Sequence, residues 1–156
     1  LVGFLYYCRD AVGVGVDIST EALKIAEENG QNLKITDRVE WRQGDYLKAF
    51  DEEDIFDGIF SNPPYIPTKD IGGLSREVKH EPRLALDGGT DGLYFYHLLA
   101  KGAAEHLKPG GFLAVEFGIG QATDILEMFR KSAQYEDFEV IKDYGGIERA
   151  LYCRKK

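Results

Sequence analysis

Sulfur and imidazole are scarce in this chain. Its 156 residues include two cysteines, one methionine and three histidines. Cys8 and Cys153 stand near opposite ends with no Cys-x-x-Cys, and His80, His97 and His106 fall in no metal-ligand spacing. A disulfide framework and a structural metal site are therefore not expected, and two free thiols in a reducing cytoplasm are. Long apolar runs are missing too, so no segment reads as a membrane span, and the first residues do not read as a signal peptide. Cations are outnumbered: 19 lysines and arginines face 27 aspartates and glutamates, a net charge of −8. That balance disfavours broad contact with a phosphate backbone, although a local basic patch could survive it.

What remains suits one globular domain spanning residues 1–156, with 44% hydrophobic residues to form a core. Strand and helix patterns alternate along it. Ala11 to Ile18 is a short valine-rich strand. Ser19 can cap a helix from Thr20 to about Asn29, with Ala22, Leu23, Ile25 and Ala26 on its inner side. Val39 to Gln43 and Ile55 to Ser61 read as strands. Pro67 to Asp91 is a long irregular stretch, and loops of that length are usually functional. Gly92 to His106 reads as a helix with Leu93, Tyr96, Leu99, Ala100 and Ala103 on one face. A turn at Lys108–Gly111 leads to a strand at Phe112–Phe117, and a helix follows from Gln121 to about Ala133. Two last strands, Phe138–Asp143 and Arg149–Arg154, are joined too briefly for a parallel crossover, which predicts an antiparallel hairpin. The whole predicts an α/β fold with a mostly parallel sheet. Trp41 and Tyr94-Phe95-Tyr96 read as packing.

The most informative residues are Asn62-Pro63-Pro64-Tyr65, placed where an apolar strand runs out. Ligands of α/β sheets bind at the carboxyl ends of strands. The prolines fix φ and carry no N–H, so their carbonyls project from a stiff turn. Asn62 offers one acceptor and one donor group. With the Pro63 carbonyl it could hold both hydrogens of an –NH2 group, while Tyr65 offers a flat face. None of these residues is a strong base or nucleophile. The arrangement suits positioning of a weak nitrogen nucleophile; the plain alternative is a proline-stiffened turn with Asn as its first residue.

Two acidic strand ends extend this picture. Asp17 closes the Val-Gly-Val-Asp strand before a helix and could take the hydroxyls of a ribose, or simply complement the helix dipole. Asp45 follows the next strand and could accept from an adenine amino group with Tyr46 against the ring, or be an ordinary turn residue. Three successive strands ending in Asp, Asp and Asn favour the ligand reading.

Asp17, Asp45-Tyr46 and Asn62-Pro63-Pro64-Tyr65 resemble the later motifs of class I S-adenosylmethionine-dependent methyltransferases, which have a Rossmann-like sheet. Downstream, Val78 to Leu93, Glu116-Phe117-Gly118 with Gln121, and Lys142 to Arg149 are similar to the HemK/PrmC family of protein-(glutamine-N5) methyltransferases that modify peptide-chain release factors. The resemblance covers nearly the whole chain. It implies that Asp17, with Ile18 beside it, binds the ribose of S-adenosylmethionine, and that Asp45 and Tyr46 contact the adenosine. It implies that Asn62 touches both cofactor and substrate, and that Asn62, Pro63, Pro64 and Tyr65 hold the glutamine amide of a release factor's Gly-Gly-Gln loop. The activity so implied is cytoplasmic and belongs to translation termination, with no membrane partner and no metal.

One departure is plain. The family's Asp-x-Gly-x-Gly-x-Gly-like strand and loop, which cradles the methionine part of the cofactor, has no counterpart here, because Gly13-Val14-Gly15 lies inside a strand. Leu1 to Cys8 would correspond to the end of the first helix, with more chain expected upstream. The strands ending at Asp17 and Asn62 are then expected not to pair with each other, since the family's central first strand separates them. Two other functions stay open. Asn-Pro-Pro-Tyr also serves enzymes that methylate exocyclic amino groups of nucleic-acid bases, and a non-catalytic module could keep the turn without the cofactor loop.

Overall fold

The computed structural model describes residues 1–76 and 78–156. The chain divides into two compact units, Leu1–Glu52 and Glu53–Lys156.

The first unit opens with α1 (Val2–Tyr7), in the segment expected to end a helix. Strand β1 (Gly13–Asp17) follows, then α2 (Thr20–Asn32), then β2 (Val39–Gln43). Ser19 caps α2 as expected, its hydroxyl accepting from the Ala22 N–H at 3.2 Å. The helix runs past Asn29 because nothing in Gly30-Gln31-Asn32 breaks it, and Gly30 is buried beside Ile35 and Trp41. Ala22, Leu23 and Ala26 are half-buried on its inner side, but Ile25 is 60% exposed. Its position is off the stripe set by residues 22, 23, 26 and 30. Strands β1 and β2 pair in parallel from Gly13–Val39 to Asp17–Gln43. Trp41 is a packing residue: a Cβ on its partner Gly15 would fall 2.2 Å from the indole. Arg38 ties the unit together by donating to the carbonyls of Leu5, Cys8 and Ala11 at 2.9–3.1 Å.

The second unit begins with β3 (Phe56–Ser61). The long loop after it is broken into 3-10 turns at Thr68–Gly73 and Val78–His80 and a short helix α3 (Arg83–Leu86), with Glu77 outside the described residues. Helix α4 (Tyr94–Gly102) tightens into a 3-10 turn at Ala103–His106 rather than continuing, as helix C-termini often do, here after a glycine. Strand β4 (Leu107–Glu116), α5 (Ala122–Lys131), β5 (Tyr135–Lys142) and β6 (Glu148–Lys155) complete it. The predicted Lys108–Gly111 turn is an outward bulge within β4. Between Phe56 and Gly58 of β3, the partner advances from Leu107 to Phe112.

The sheet order is β3-β4-β6-β5, with β3 and β4 parallel and β5–β6 an antiparallel hairpin, as the sequence predicts. Its core lies under α4 and α5. Tyr96, Leu99, Ala100 and Ala103 of the predicted inner face are almost wholly buried, as are Leu113, Val115, Ile125, Phe129, Leu151 and Cys153. Each large apolar side chain so buried contributes about 1.5–3 kcal/mol. Tyr96 keeps its hydroxyl satisfied by donating to the Glu116 carbonyl at 2.8 Å. Both cysteines are free; Cys8 is exposed, and burial pushes the Cys153 thiol up to about 12. Among the described residues no ladder joins β1 to β3, and no helix is long and apolar enough to cross a membrane.

Candidate functional site

In the first unit, the parallel pairing of β1 and β2 brings Asp17 and Gln43 into register, so Ile18 and Gly44 leave the sheet at the same edge. The Gly44 N–H donates to the Asp17 carbonyl at 3.1 Å, and the Gln43 amide donates to the Ile18 carbonyl at 3.2 Å. Asp17 is exposed. Its Oδ1 accepts from the Ser19 N–H at 2.8 Å, and among the described residues no hydrogen bond engages Oδ2. Helix-start and ligand roles are thus compatible in one carboxylate. Asp45 makes an ion pair with Lys48, whose side chain is 79% exposed. Exposed pairs of this kind are worth about 0–1 kcal/mol, so a ligand can displace the lysine.

Tyr46 is the unusual residue of this edge. It is half-buried and sits at φ +56°, in the left-handed region that a bulky residue rarely occupies. Burial pushes its phenol up, and the charges of Asp45 and Asp17 push it further. The structure therefore gathers Asp17, Asp45 and Tyr46 at one sheet edge. Strained backbone of this kind concentrates at binding sites. The site residues fit the adenosine half of a nucleoside cofactor: carboxylates for hydroxyl or amino donors and a fixed aromatic ring.

In the second unit, the last β3–β4 pair is Ser61–Val115, so Asn62 is the first residue beyond the ladder. Asn62 is exposed, and among the described residues no hydrogen bond engages its carboxamide. Pro63 behind it is buried, while Pro64 and Tyr65 are half-buried. The turn is held from three sides. Gln121 Nε2 donates to the Tyr65 carbonyl at 3.1 Å and to the Gly92 carbonyl at 3.3 Å, while its Oε1 accepts from the Gly118 N–H at 2.9 Å. Gly88 and Gly92 pack on the turn so closely that a Cβ would fall 2.8 Å from the Pro64 oxygen and 2.4 Å from the Tyr65 oxygen, respectively. A Cβ on Gly118 would meet the Tyr65 ring at 2.9 Å.

The long loop is closed at its base. The Ile66 N–H donates to Leu86, Gly88 donates back to Ile66, and Thr68 donates to Gly89, at 2.9–3.0 Å. Asp87 latches this base. It accepts from the Thr68 hydroxyl at 2.6 Å, from the Gly89 N–H at 3.1 Å and from Arg83 at 3.2 Å, and these bonds hold its carboxyl below the usual carboxylate range. Asp143 does the same for the β5–β6 hairpin, chiefly through the Ile147 N–H, with Arg149 and the Gly145 N–H. Carboxyls with lowered folded pKa values stabilise above the unfolded value, near pH 4, and lose that contribution as pH falls through the folded value. Melting temperature should therefore hold down to about pH 4 and drop below it. A D87N/D143N variant should show a shallower drop below about pH 4 in thermal melts across the acid range. Parallel slopes would show that the latches carry no pH-linked stability.

The sequence names Asn62 to Tyr65 and the acidic strand ends, and the structure puts each at a strand end. It does not name the grip on the turn. Gln121, Gly88 and Gly92 stand 56, 23 and 27 residues from Tyr65 in sequence. Two signals were available: Gln121 and the Val78–Leu93 segment are among the residues that carry the family resemblance, and a glutamine stands where a helix start usually has Ser, Thr, Asp or Asn.

The comparisons agree with these motifs. The family described as UPF0020: RMKL-like, methyltransferase domain matches residues 7–70. The release factor glutamine methyltransferase of Moorella thermoacetica is 40% identical over 151 residues, covering 97% of this chain and 53% of that protein. That of Bradyrhizobium diazoefficiens is 44% identical over 156 residues, covering 99% of this chain and 52% of that protein. The chain spans about half the length of the curated relatives it matches. Among solved structures, a methyltransferase from Pyrococcus furiosus aligns with a TM-score of 0.65 at 24% identity, over 91% of this chain and 61% of that one. An O-methyltransferase from Bacillus cereus in complex with SAH aligns with a TM-score of 0.56 at 14% identity, over 92% of this chain and 62% of that one. The fold is the Rossmann-like α/β fold of class I methyltransferases, and the resemblance read from the motifs is borne out across most of the chain.

Proposed function

We propose that residues 1–156 are the catalytic domain, or part of it, of a release factor glutamine methyltransferase. It would act in the cytoplasm, using S-adenosylmethionine to methylate N5 of the glutamine in a Gly-Gly-Gln loop. One observation carries this reading. An exposed carboxamide, free of hydrogen bonds among the described residues, stands at the end of β3 on a turn stiffened by two prolines and gripped from outside. A turn of that kind is a positioning device. It has no base or nucleophile to offer.

The chemistry follows from the acceptor. An amide nitrogen is a poor nucleophile because its lone pair is delocalised. Asn62 Oδ1 and the Pro63 carbonyl can accept its two hydrogens, favouring loss of that delocalisation and aiming the nitrogen. Contacts that strengthen along the reaction path are the ones that raise turnover. Tyr65 would lie against the flat amide. The Pro67–Asp91 loop would help cover the substrate. Asp17, Ile18, Asp45 and Tyr46 would hold the adenosine part of S-adenosylmethionine, and Asn62 would touch it too. The cofactor supplies an electrophilic methyl group on a sulfonium. The family's glycine loop for its methionine part has no counterpart in residues 1–156, so binding by this chain is expected to be weak.

The deciding assay offers S-adenosylmethionine with a release factor, the same factor with its Gly-Gly-Gln glutamine replaced, tRNA and DNA. The expected product is a methyl group on that glutamine and nowhere else. Methyl transfer to nucleic acid alone would replace this reading with base methylation. Transfer to none of the four, with S-adenosylmethionine well above its dissociation constant for this chain, would remove it.

A further inference from the structure

We infer that Gln121 is a positioning residue for the substrate turn, acting through the Tyr65 carbonyl. The inference rests on the reading of Asn62–Tyr65 as the turn that holds the acceptor amide.

Its place in the chain makes it conspicuous. Gln121 is the N-cap residue of α5, yet its side chain makes no capping bond to that helix. Ser, Thr, Asp or Asn would serve the helix better. The half-buried carboxamide is turned to other segments instead. Its oxygen accepts from the Gly118 N–H, and its nitrogen donates to the carbonyls of Tyr65 and Gly92. Both donors and one acceptor position are used. Glutamate would keep the bond to Gly118 but has no donor for the two carbonyls. Asparagine is one methylene shorter.

The consequence lies in one peptide plane. The Tyr65–Ile66 peptide is planar. Its oxygen is held by Gln121 at 3.1 Å, and its N–H donates to the Leu86 carbonyl at 3.0 Å. Both ends of the plane are therefore fixed. Upstream, the rings of Pro63 and Pro64 lock φ at two successive residues. The backbone from Asn62 to Ile66 has few torsions left to vary. Asn62 gains its precision from a residue it does not touch. The second carbonyl on Gln121, that of Gly92, belongs to the segment that packs against Tyr65. One side chain thus joins the substrate turn to the end of the long loop and to the strand end at Gly118.

The test compares wild type with Q121A and Q121E. Hydrogen exchange is followed at the Ile66 and Gly88 amides. Neither bonds Gln121, so each reports the turn rather than the lost bond. Exchange at both should quicken at least tenfold in either variant, with the melting temperature little changed. With release factor as acceptor, kcat should fall about 10- to 100-fold while the S-adenosylmethionine dissociation constant stays within about twofold. A global structural role would instead lower the melting temperature in both variants, because Q121E faces the same two carbonyls without a donor, and would quicken exchange well beyond Ile66 and Gly88. Unchanged exchange at both amides overturns the inference whatever the activity. Quickened exchange with kcat intact overturns it as well. If wild type methylates no release factor, the proposed function falls, and the exchange data alone decide whether Gln121 holds the turn.

Discussion

Replacing Asn62 with alanine should cut methyl transfer about 100-fold or more while leaving the melting temperature almost unchanged. The two halves of this expectation have separate causes. Asn62 is exposed, lies outside the β3–β4 ladder and, among the described residues, makes no side-chain hydrogen bond. Removing its carboxamide opens no cavity and orphans no buried group, so the fold should lose no more than about 0.5 kcal/mol. Turnover depends on it differently. The amide nitrogen of the acceptor is a weak nucleophile, and only its orientation and the acceptors around its hydrogens can improve it. Alanine removes one of two acceptors and leaves the Pro63 carbonyl alone. Tyr65→Phe should cost much less, because the ring face over Gly118 is kept. Kinetics with release factor, paired with thermal melts, check both halves. Near-normal turnover in Asn62→Ala would contradict the role assigned here.

The strand ends were legible because their signals are local. Alternating valines, a serine before a helix and two prolines after an apolar run each act within a few residues. They place β1, β2 and β3 within one or two residues of their observed bounds. The hairpin follows from a short Gly-Gly connection. Local signals also misled in places. Ile25 is apolar at roughly helical spacing, yet it lies 60% exposed, since only the exact angle around α2 decides burial. Asp45 stays open to both readings made of it, and its pairing with Lys48 three residues on, as side chains one turn apart often are, was not foreseen. Tyr46 at positive φ could not be foreseen, because an aromatic residue gives no hint of a left-handed backbone. The grip of Gln121 was hidden for a different reason. It joins segments 29 and 56 residues apart, and no local pattern encodes such pairings.

Gly88→Ala should be nearly as damaging as Asn62→Ala, although Gly88 would touch no substrate. In sequence Gly88-Gly89 looks like loop punctuation. In the fold a Cβ at Gly88 would lie 2.8 Å from the Pro64 oxygen, 2.8 Å from the Tyr65 Cα and 2.9 Å from the Gly92 Cα. All three are backbone atoms, so no side-chain rotation relieves the clash. The turn must move, and it is closed in by Gly92 and by the Tyr65–Ile66 plane. Overpacking of this kind costs about 1–3 kcal/mol in stability, which a thermal melt will show. The larger loss is geometric. A displacement of the turn approaching 1 Å can lower turnover about 100-fold through misalignment alone. Gly3→Ala is the control, since a Cβ there meets nothing within 4 Å. It should leave both melting temperature and kcat as they are. If Gly88→Ala melts lower but turns over normally, the turn tolerates movement, and rigidity is not what Asn62-Pro63-Pro64-Tyr65 contributes. If turnover collapses with the loss of stability, the glycines of the long loop exist to let it close on the turn. The second half of the motif resemblance then has a physical reason: Asn62 works only where residues 88 and 92 carry no side chain.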